Sequence, residues 1–117
     1  MSFPLEIDFH NVERSEFLEN AVRERCKKLE RFASHVMRCK VTIAAPHLHH
    51  HKGNVYHVSV DLHVPGTEIV VNRDPDRDHA HEDAYVAIRD AINAAARQLQ
   101  DYVRIKRGDV KKHDSRD

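Results

Sequence analysis

The strongest constraint on the fold is a long amphipathic pattern over residues 81–107. Apolar residues recur there at spacings of three and four, the periodicity of an α-helix with one buried face. That predicted face consists of Tyr85, Ile88, Ile92, Ala95, Leu99, Tyr102 and Val103. Because most of the stability of such a helix comes from packing, the pattern predicts that the rest of the chain supplies a surface to cover it.

A second stripe of cationic and amide side chains runs along the same predicted helix. It contains Arg89, Asn93, Arg97, Gln100, Arg104 and Arg107, again at spacings of three and four. In helical projection the acids Asp83, Asp90 and Asp101 lie to one side of this stripe and not within it. The stripe is therefore predicted to face either an anionic partner or solvent.

Four shorter segments alternate apolar and polar residues, as half-buried β-strands do. They cover residues 3–9, 36–45, 56–64 and 69–72. A second amphipathic helix is predicted over residues 16–32, with Ser15 as its N-cap. The order β-α-β-β-β-α predicts an α+β two-layer sandwich, in which a four-stranded sheet carries two helices on one face. The first helix would then be a right-handed crossover.

Length and composition bound the remaining possibilities. The chain of 117 residues predicts one domain over residues 1–107, followed by a flexible tail over residues 108–117 that has no apolar anchor. Lys and Arg total 19 and Asp and Glu total 19, so net charge does not argue for a nucleic-acid partner. No secretory signal or membrane span is present in the sequence, and Cys26 and Cys39 form no CxxC motif, which predicts a reduced, cytoplasmic protein.

Catalysis has no support in the sequence. Motifs of the GxSxG, Walker and HExxH types are absent, and no isolated pair of carboxylates is present. Cys26 falls on the predicted core side of the first helix, where a cysteine acts as a small hydrophobe. We expect a protein that is not an enzyme and that uses no cofactor and no small-molecule substrate.

Two stretches resemble a known family. They are HEDAYVAIRDAINAAARQL, which follows the PGTEIVV hairpin, and VRERCKKLERF in the first helix. Both resemble the short form of the ribosome hibernation factors, also called ribosome-associated inhibitors or sigma-54 modulation proteins. The resemblance implies the same β-α-β-β-β-α sandwich, similar to double-stranded-RNA-binding domains. It also implies a stress and stationary-phase factor that lodges in the small ribosomal subunit, on ribosomal RNA, where messenger and transfer RNA would sit.

The resemblance and the helical stripe together nominate RNA-binding residues. The family's basic positions correspond to Arg25, Lys28 and Arg31 in the first helix and to Arg97 in the second. With the remaining arginines of the stripe, the candidate set is Arg25, Lys28, Arg31, Arg89, Arg97, Arg104 and Arg107. Ala94 and Asp101 depart from the family, in which these positions are commonly lysine. Many relatives also carry a C-terminal extension that pairs two ribosomes, and this sequence ends at Asp117, so we expect ribosome pairing to need another factor.

Other interpretations of the same residues remain open. A charged helix face is often simply solvated. Histidines in two polar segments are candidate ligands for a weak divalent metal site, and they are His47, His49, His50, His51, His79 and His81. Their spacing is not diagnostic, and the first segment could instead contact RNA and gain charge as pH falls. The alternative function is therefore a histidine-rich metal-responsive or protein-interaction module on the same fold, without tight RNA binding.

Overall fold

The computed structural model describes residues 2–45, 56–72 and 83–109 and has the predicted order of elements. The strands and α-helices are β1 Leu5–His10, α1 Glu16–Cys26, β2 Arg38–Ala44, β3 His57–Val64, β4 Thr67–Asn72 and α2 Ala84–Arg104. A 3₁₀ helix, Lys27–His35, continues α1, and a π-helical turn, Ile105–Asp109, continues α2. Residues 110–117 of the predicted tail lie outside the described residues.

The four strands form one mixed sheet in the order β1-β2-β3-β4. β1 and β2 are parallel because the helical segment between them crosses over the sheet, as predicted. The pairs β2–β3 and β3–β4 are antiparallel. The hairpin between β3 and β4 turns at Pro65 and Gly66, and the φ of +87° at Gly66 is a conformation that glycine adopts without steric cost. The predicted α+β sandwich is confirmed.

The hydrophobic core lies between the sheet and the helices. Strand residues at every second position are buried, most clearly in β3, where Val58, Val60 and Leu62 are inaccessible to solvent. From α2, Ile88 and Leu99 are equally buried in the same cluster. The period of two in the strands and the period near 3.6 in the helix therefore meet in one apolar layer.

Both helices begin at capping residues. Leu18 donates its backbone N–H to Ser15 Oγ at 3.3 Å, which confirms Ser15 as the N-cap of α1. At the start of α2, Tyr85 donates its backbone N–H to Asp83 Oδ1 at 2.9 Å. The predicted start of the second helix near residues 79–82 was therefore wrong, because the Asp83 cap has an extended backbone and the helix begins at Ala84.

Helix α1 is shorter than predicted, since α-helical geometry ends at Cys26 and tighter 3₁₀ geometry continues to His35, with a kink at Phe32. The spacing of the apolar residues accounts for this change. Cys26, Leu29 and Phe32 are three apart, and a helix with three residues per turn keeps all three on the sheet side. Leu29 is fully buried, and Phe32 and Ala33 are partly buried against the core, as the chain continues toward β2.

Tyr85 was predicted to be a core residue, and this prediction was wrong, because its side chain is 48% exposed. The buried face of α2 is shifted toward alanines on the opposite border, including Ala87 and Ala94. Tyr102 behaves as predicted, since its ring is half-buried and its hydroxyl donates to the carbonyl of Pro65 at 2.7 Å. That bond ties α2 to the β3–β4 turn.

Within residues 2–45, 56–72 and 83–109, no helix combines the length and the hydrophobicity needed to span a membrane.

Candidate nucleic-acid interface

A groove of about 310 Å³ lies between α2 and the 3₁₀ helix Lys27–His35. We call it the interhelical groove, and its lining residues are Lys28, Arg31, Phe32, Asn93, Ala96, Arg97 and Gln100. The half-buried Phe32 and Ala96 supply its apolar part, and every other lining side chain is a cation or an amide. The structure therefore brings three predicted RNA-binding residues from two separate elements into one site.

Two contacts orient the cations of the interhelical groove. Lys28 Nζ donates a hydrogen bond to Asn93 Oδ1, which joins the 3₁₀ helix to α2 across the groove. The guanidinium of Arg31 lies 5.2 Å from the centre of the Phe32 ring, within the range of a cation–π interaction. Both contacts hold a long side chain near the groove without neutralising its charge.

The groove carries an excess of positive charge. Among the described residues, no carboxylate lies within ion-pair distance of Lys28, Arg31 or Arg97. None of the lining residues is acidic. Guanidinium groups donate in a planar fork that matches phosphate or carboxylate oxygens, and ammonium binds phosphate as a point charge. The arrangement can therefore bind a polyanion.

Two arginines of the predicted stripe are paired with acids. Arg89 donates from Nε and Nη2 to Asp90 Oδ1 at 3.2 and 3.1 Å, and Arg104 Nη2 donates to Asp101 Oδ1 at 2.6 Å. Two acids predicted to lie beside the stripe therefore pair with two of its arginines and offset their charge. A helical projection treats each side chain as a point, whereas the long arginine side chain reaches carboxylates beside it.

The other two candidates flank the interhelical groove. Arg25 is exposed on α1, one turn before Lys28, and does not line the groove. Arg107 is exposed in the π-helical turn after α2. The seven candidates thus divide into three that line the groove, two that are paired with aspartates and two that lie beside it.

The two departures from the family pattern have different structural settings. Ala94 is only 5% exposed and lines a neighbouring depression between α2 and β4, with Val70, Asn72 and Arg97, of which Arg97 also lines the interhelical groove. Its lack of charge therefore leaves the lining of the interhelical groove unchanged. Asp101 is exposed and pairs with Arg104, so it lowers the positive charge beyond the groove.

Sequence reasoning missed the apolar part of this site. Phe32 and Ala96 were assigned to the core or left without a role, yet both line the groove. Their half-buried state follows from their place at the border of the two apolar stripes, where one edge of a side chain meets the core and the other meets solvent. Border positions of an amphipathic helix are the sequence signal that could have identified them.

Two further predictions concern the cysteines and the histidines. Cys26 and Cys39 are both free and buried, which confirms that Cys26 packs in the core. A hydrogen bond with the Cys26 thiol, together with burial, raises the pKa of Cys39 above its ordinary value, so this thiol stays protonated. The predicted metal candidates His47, His49, His50, His51, His79 and His81 lie outside the described residues.

Comparison with known proteins supplies the remaining observations. The sequence matches the family described as Sigma 54 modulation protein / S30EA ribosomal protein over residues 5–107. The N-terminal domain of Protein Y from Thermus thermophilus has a similar structure, with a TM-score of 0.66 at 17% sequence identity, over 85% of this chain and 98% of that one. A ribosomal subunit interface protein from Coxiella burnetii gives a TM-score of 0.58 at 16% identity, over 84% and 94% of the two chains. At these identities the two structures show a shared fold, and no curated protein matches the sequence.

Proposed function

Because this chain belongs to the Sigma 54 modulation protein / S30EA ribosomal protein family, as its match over residues 5–107 shows, we propose that it silences idle ribosomes by binding the small subunit in the channel for messenger and transfer RNA. Membership confirms the family predicted from the helix motifs. It indicates a ribosome-associated modulation protein, and the family is not one of enzymes. The proposed action is therefore occupancy of a site without chemistry.

The observation that carries the proposal is the interhelical groove. Lys28 and Arg31 on one side and Arg97 on the other present three positive charges that no described carboxylate pairs. Folded RNA offers a dense array of phosphates, and its deep, narrow major groove favours recognition by shape and backbone over recognition of bases. A groove with cationic walls suits such a partner.

The alternative, that this face is only solvated, fits the groove less well. Solvated helix faces usually carry charges of both signs, which offset one another. That description applies to Arg89 with Asp90 and to Arg104 with Asp101, but not to the groove. Placing unpaired cations from two elements side by side costs electrostatic free energy in the free protein, and a bound anion would remove that cost.

Charge reversal with a matched control tests the proposal. We expect Lys28→Glu/Arg97→Glu to weaken co-sedimentation with purified small ribosomal subunits. The control is Arg23→Glu/Lys27→Glu, which changes the net charge equally at exposed positions that do not line the groove and that pair with Glu19 and Glu24. Circular dichroism would check that both variants fold. Equal pelleting of the two variants would contradict a role for the groove.

A second experiment tests the location on the subunit. Small subunits carrying a messenger and an initiator transfer RNA would be mixed with the protein, and binding would be compared with that to empty subunits. The proposal predicts mutual exclusion and protection of channel ribosomal RNA from chemical probes. Simultaneous binding of all three components, with protection elsewhere, would show that the protein associates with the ribosome at another site.

A further inference from the structure

The face of the sheet that the helices leave uncovered carries three side chains with metal-binding donor atoms. Asp61 and His63 are two residues apart on β3 and project from the same face, and Glu68 on β4 is the cross-strand partner of His63. The carboxylate and imidazole donor atoms of the three residues all lie within 4.8 Å of one another. The β3–β4 hairpin therefore gathers one nitrogen donor and two oxygen donors at a single point.

The separations between these donors match those around a small cation. His63 Nε2 lies 3.3 Å from Glu68 Oε2 and 3.6 Å from Asp61 Oδ1. In a tetrahedral zinc site with bonds of roughly 2.1 Å, neighbouring donors are about 3.4 Å apart. A zinc ion could therefore lie between His63 and the two carboxylates, whose donor atoms are within 4.8 Å of each other.

One oxygen of Asp61 is shielded from solvent and only loosely paired. Its Oδ1 is shielded from solvent, and no donor among the described residues makes a hydrogen bond to it. A shielded carboxylate oxygen that accepts no hydrogen bond costs free energy, which a bound cation would recover. The pKa of Glu68 is raised above its ordinary value, chiefly because its carboxyl group shares a hydrogen bond with that of Asp61. A divalent cation between the two carboxylates would relieve the repulsion between them.

The neighbouring cations leave room for an ion. Lys40 is the cross-strand partner of Asp61, but its Nζ pairs with Asp8 Oδ2 at 3.3 Å on the other side of β2. Arg38 is the cross-strand partner of His63, and its charge lowers the pKa of Glu68 in opposition to Asp61. Neither side chain is within ion-pair distance of Asp61 among the described contacts.

We propose that Asp61, His63 and Glu68 form a zinc-binding site with one position open to water. The mixture of imidazole and carboxylate donors suits Zn²⁺, whereas Ca²⁺ and Mg²⁺ take oxygen ligands almost exclusively. The site lies on the face of the sheet opposite the interhelical groove, so it does not depend on RNA binding. The competing explanation is a cluster in which protonated His63 simply pairs with the two acids, and it predicts no metal binding.

Calorimetry with Zn²⁺ alone, on the chelator-treated full chain near neutral pH, tests the site. We expect one equivalent to bind, and we expect His63→Gln and Asp61→Asn/Glu68→Gln each to weaken that binding at least tenfold. The matched control is His57→Gln, which removes another half-buried histidine from the same face of β3. A second control replaces His47, His49, His50, His51, His79 and His81 with Asn, because these histidines could bind zinc independently. Both controls should retain the affinity of the wild type.

NMR keeps the proposal testable if a variant fails to fold. In the unmodified protein, zinc should shift the amide signals of Asp61, His63 and Glu68 in proportion to occupancy of the calorimetric site. Zinc affinity that survives the substitutions at these three residues, or that disappears in the six-histidine control, would overturn the proposal. Zinc-induced shifts confined to signals outside β3 and β4 would do so as well.

Discussion

Removing two of the three unpaired cations of the interhelical groove should change the salt dependence of ribosome binding by a calculable amount. The variant Lys28→Gln/Arg97→Gln retains Arg31 as the one cation lining the groove. Each phosphate contact contributes a slope of about −0.7 to −0.9 to a plot of log K against log salt concentration. Three contacts give a slope of roughly −2.4, and the single remaining contact gives roughly −0.8.

These slopes correspond to a measurable difference in affinity. Between about 50 and about 200 mM salt, the groove contacts of the wild type would account for a loss of binding of roughly 25- to 30-fold, against about threefold in the variant. Arg25, Arg89, Arg104 and Arg107 would add the same contribution to both proteins, so the difference in slope, about 1.6, is the diagnostic quantity. Fluorescence anisotropy of labelled protein with small subunits, at five salt concentrations, measures it.

The matched control for this measurement is Arg23→Gln/Lys27→Gln. It removes the same two charges from side chains that pair with Glu19 and Glu24 outside the groove. The control should retain the slope of the wild type to within about 0.3, because its residues contact no phosphate in the proposed complex. Equal slopes for the groove variant and the control would refute the reasoning, since the salt dependence would then follow net charge and not position.

Three further predictions concern stability and ionisation. In urea denaturation, Ser15→Ala should lower the free energy of unfolding by about 1 kcal/mol, because the N–H of Leu18 loses its acceptor. Ser15→Asp should retain most of that stability, and an equal loss in both variants would argue against capping. Leu99→Ala should cost about 2–5 kcal/mol, since the side chain is fully buried, and a loss below about 1 kcal/mol would contradict its place in the core. In metal-free buffer, NMR titration should give Glu68 a pKa above its ordinary value, and Asp61→Asn should lower it. The folded-state pKa of Glu68 is the higher one, so the stability that this group contributes is fully present below its unfolded-state pKa and is lost as pH rises through its folded-state pKa. A Glu68 pKa at its ordinary value would contradict the shared hydrogen bond.

The two proposed surfaces lie on opposite faces of the sheet, which allows their functions to be separated. The interhelical groove is formed by residues of two helices, one in the N-terminal and one in the C-terminal half of the chain, whereas Asp61, His63 and Glu68 belong to one hairpin. Substitutions in the groove should therefore change ribosome binding and leave zinc affinity unchanged. Substitutions at Asp61, His63 and Glu68 should change zinc affinity and leave ribosome binding unchanged.

The sequence by itself determined the order and type of the elements. The alternation in β3 and the spacing of three and four in α2 each encode one buried face within a short window, so local periodicity was sufficient to predict them. The N-cap at Ser15 is equally local, because its partner lies three residues away. The family resemblance also depended on contiguous motifs.

The limits of the predicted elements depended on more than local pattern. The change from α-helix to 3₁₀ helix after Cys26 and the exposure of Tyr85 arise from how the helices meet the sheet. A helical wheel specifies that a face is buried, but not how far around the helix the covering surface extends. Alanines can therefore replace a tyrosine in the core when the sheet approaches from their side.

Only the tertiary structure decided which functional groups meet. Lys28 contacts Asn93 across 65 residues of sequence, and neither helix alone predicts that contact. The pairs of Arg89 with Asp90 and of Arg104 with Asp101 are the exception, because both lie within α2 and depend on local side-chain reach and not on packing between elements. The group of Asp61, His63 and Glu68 could be predicted only in part. The turn at Pro65 and Gly66 implies the register that brings the three residues together, but the shielding of Asp61 depends on the assembled sheet. Backbone periodicity is a local property, whereas the contacts across the interhelical groove are set where separate elements pack together.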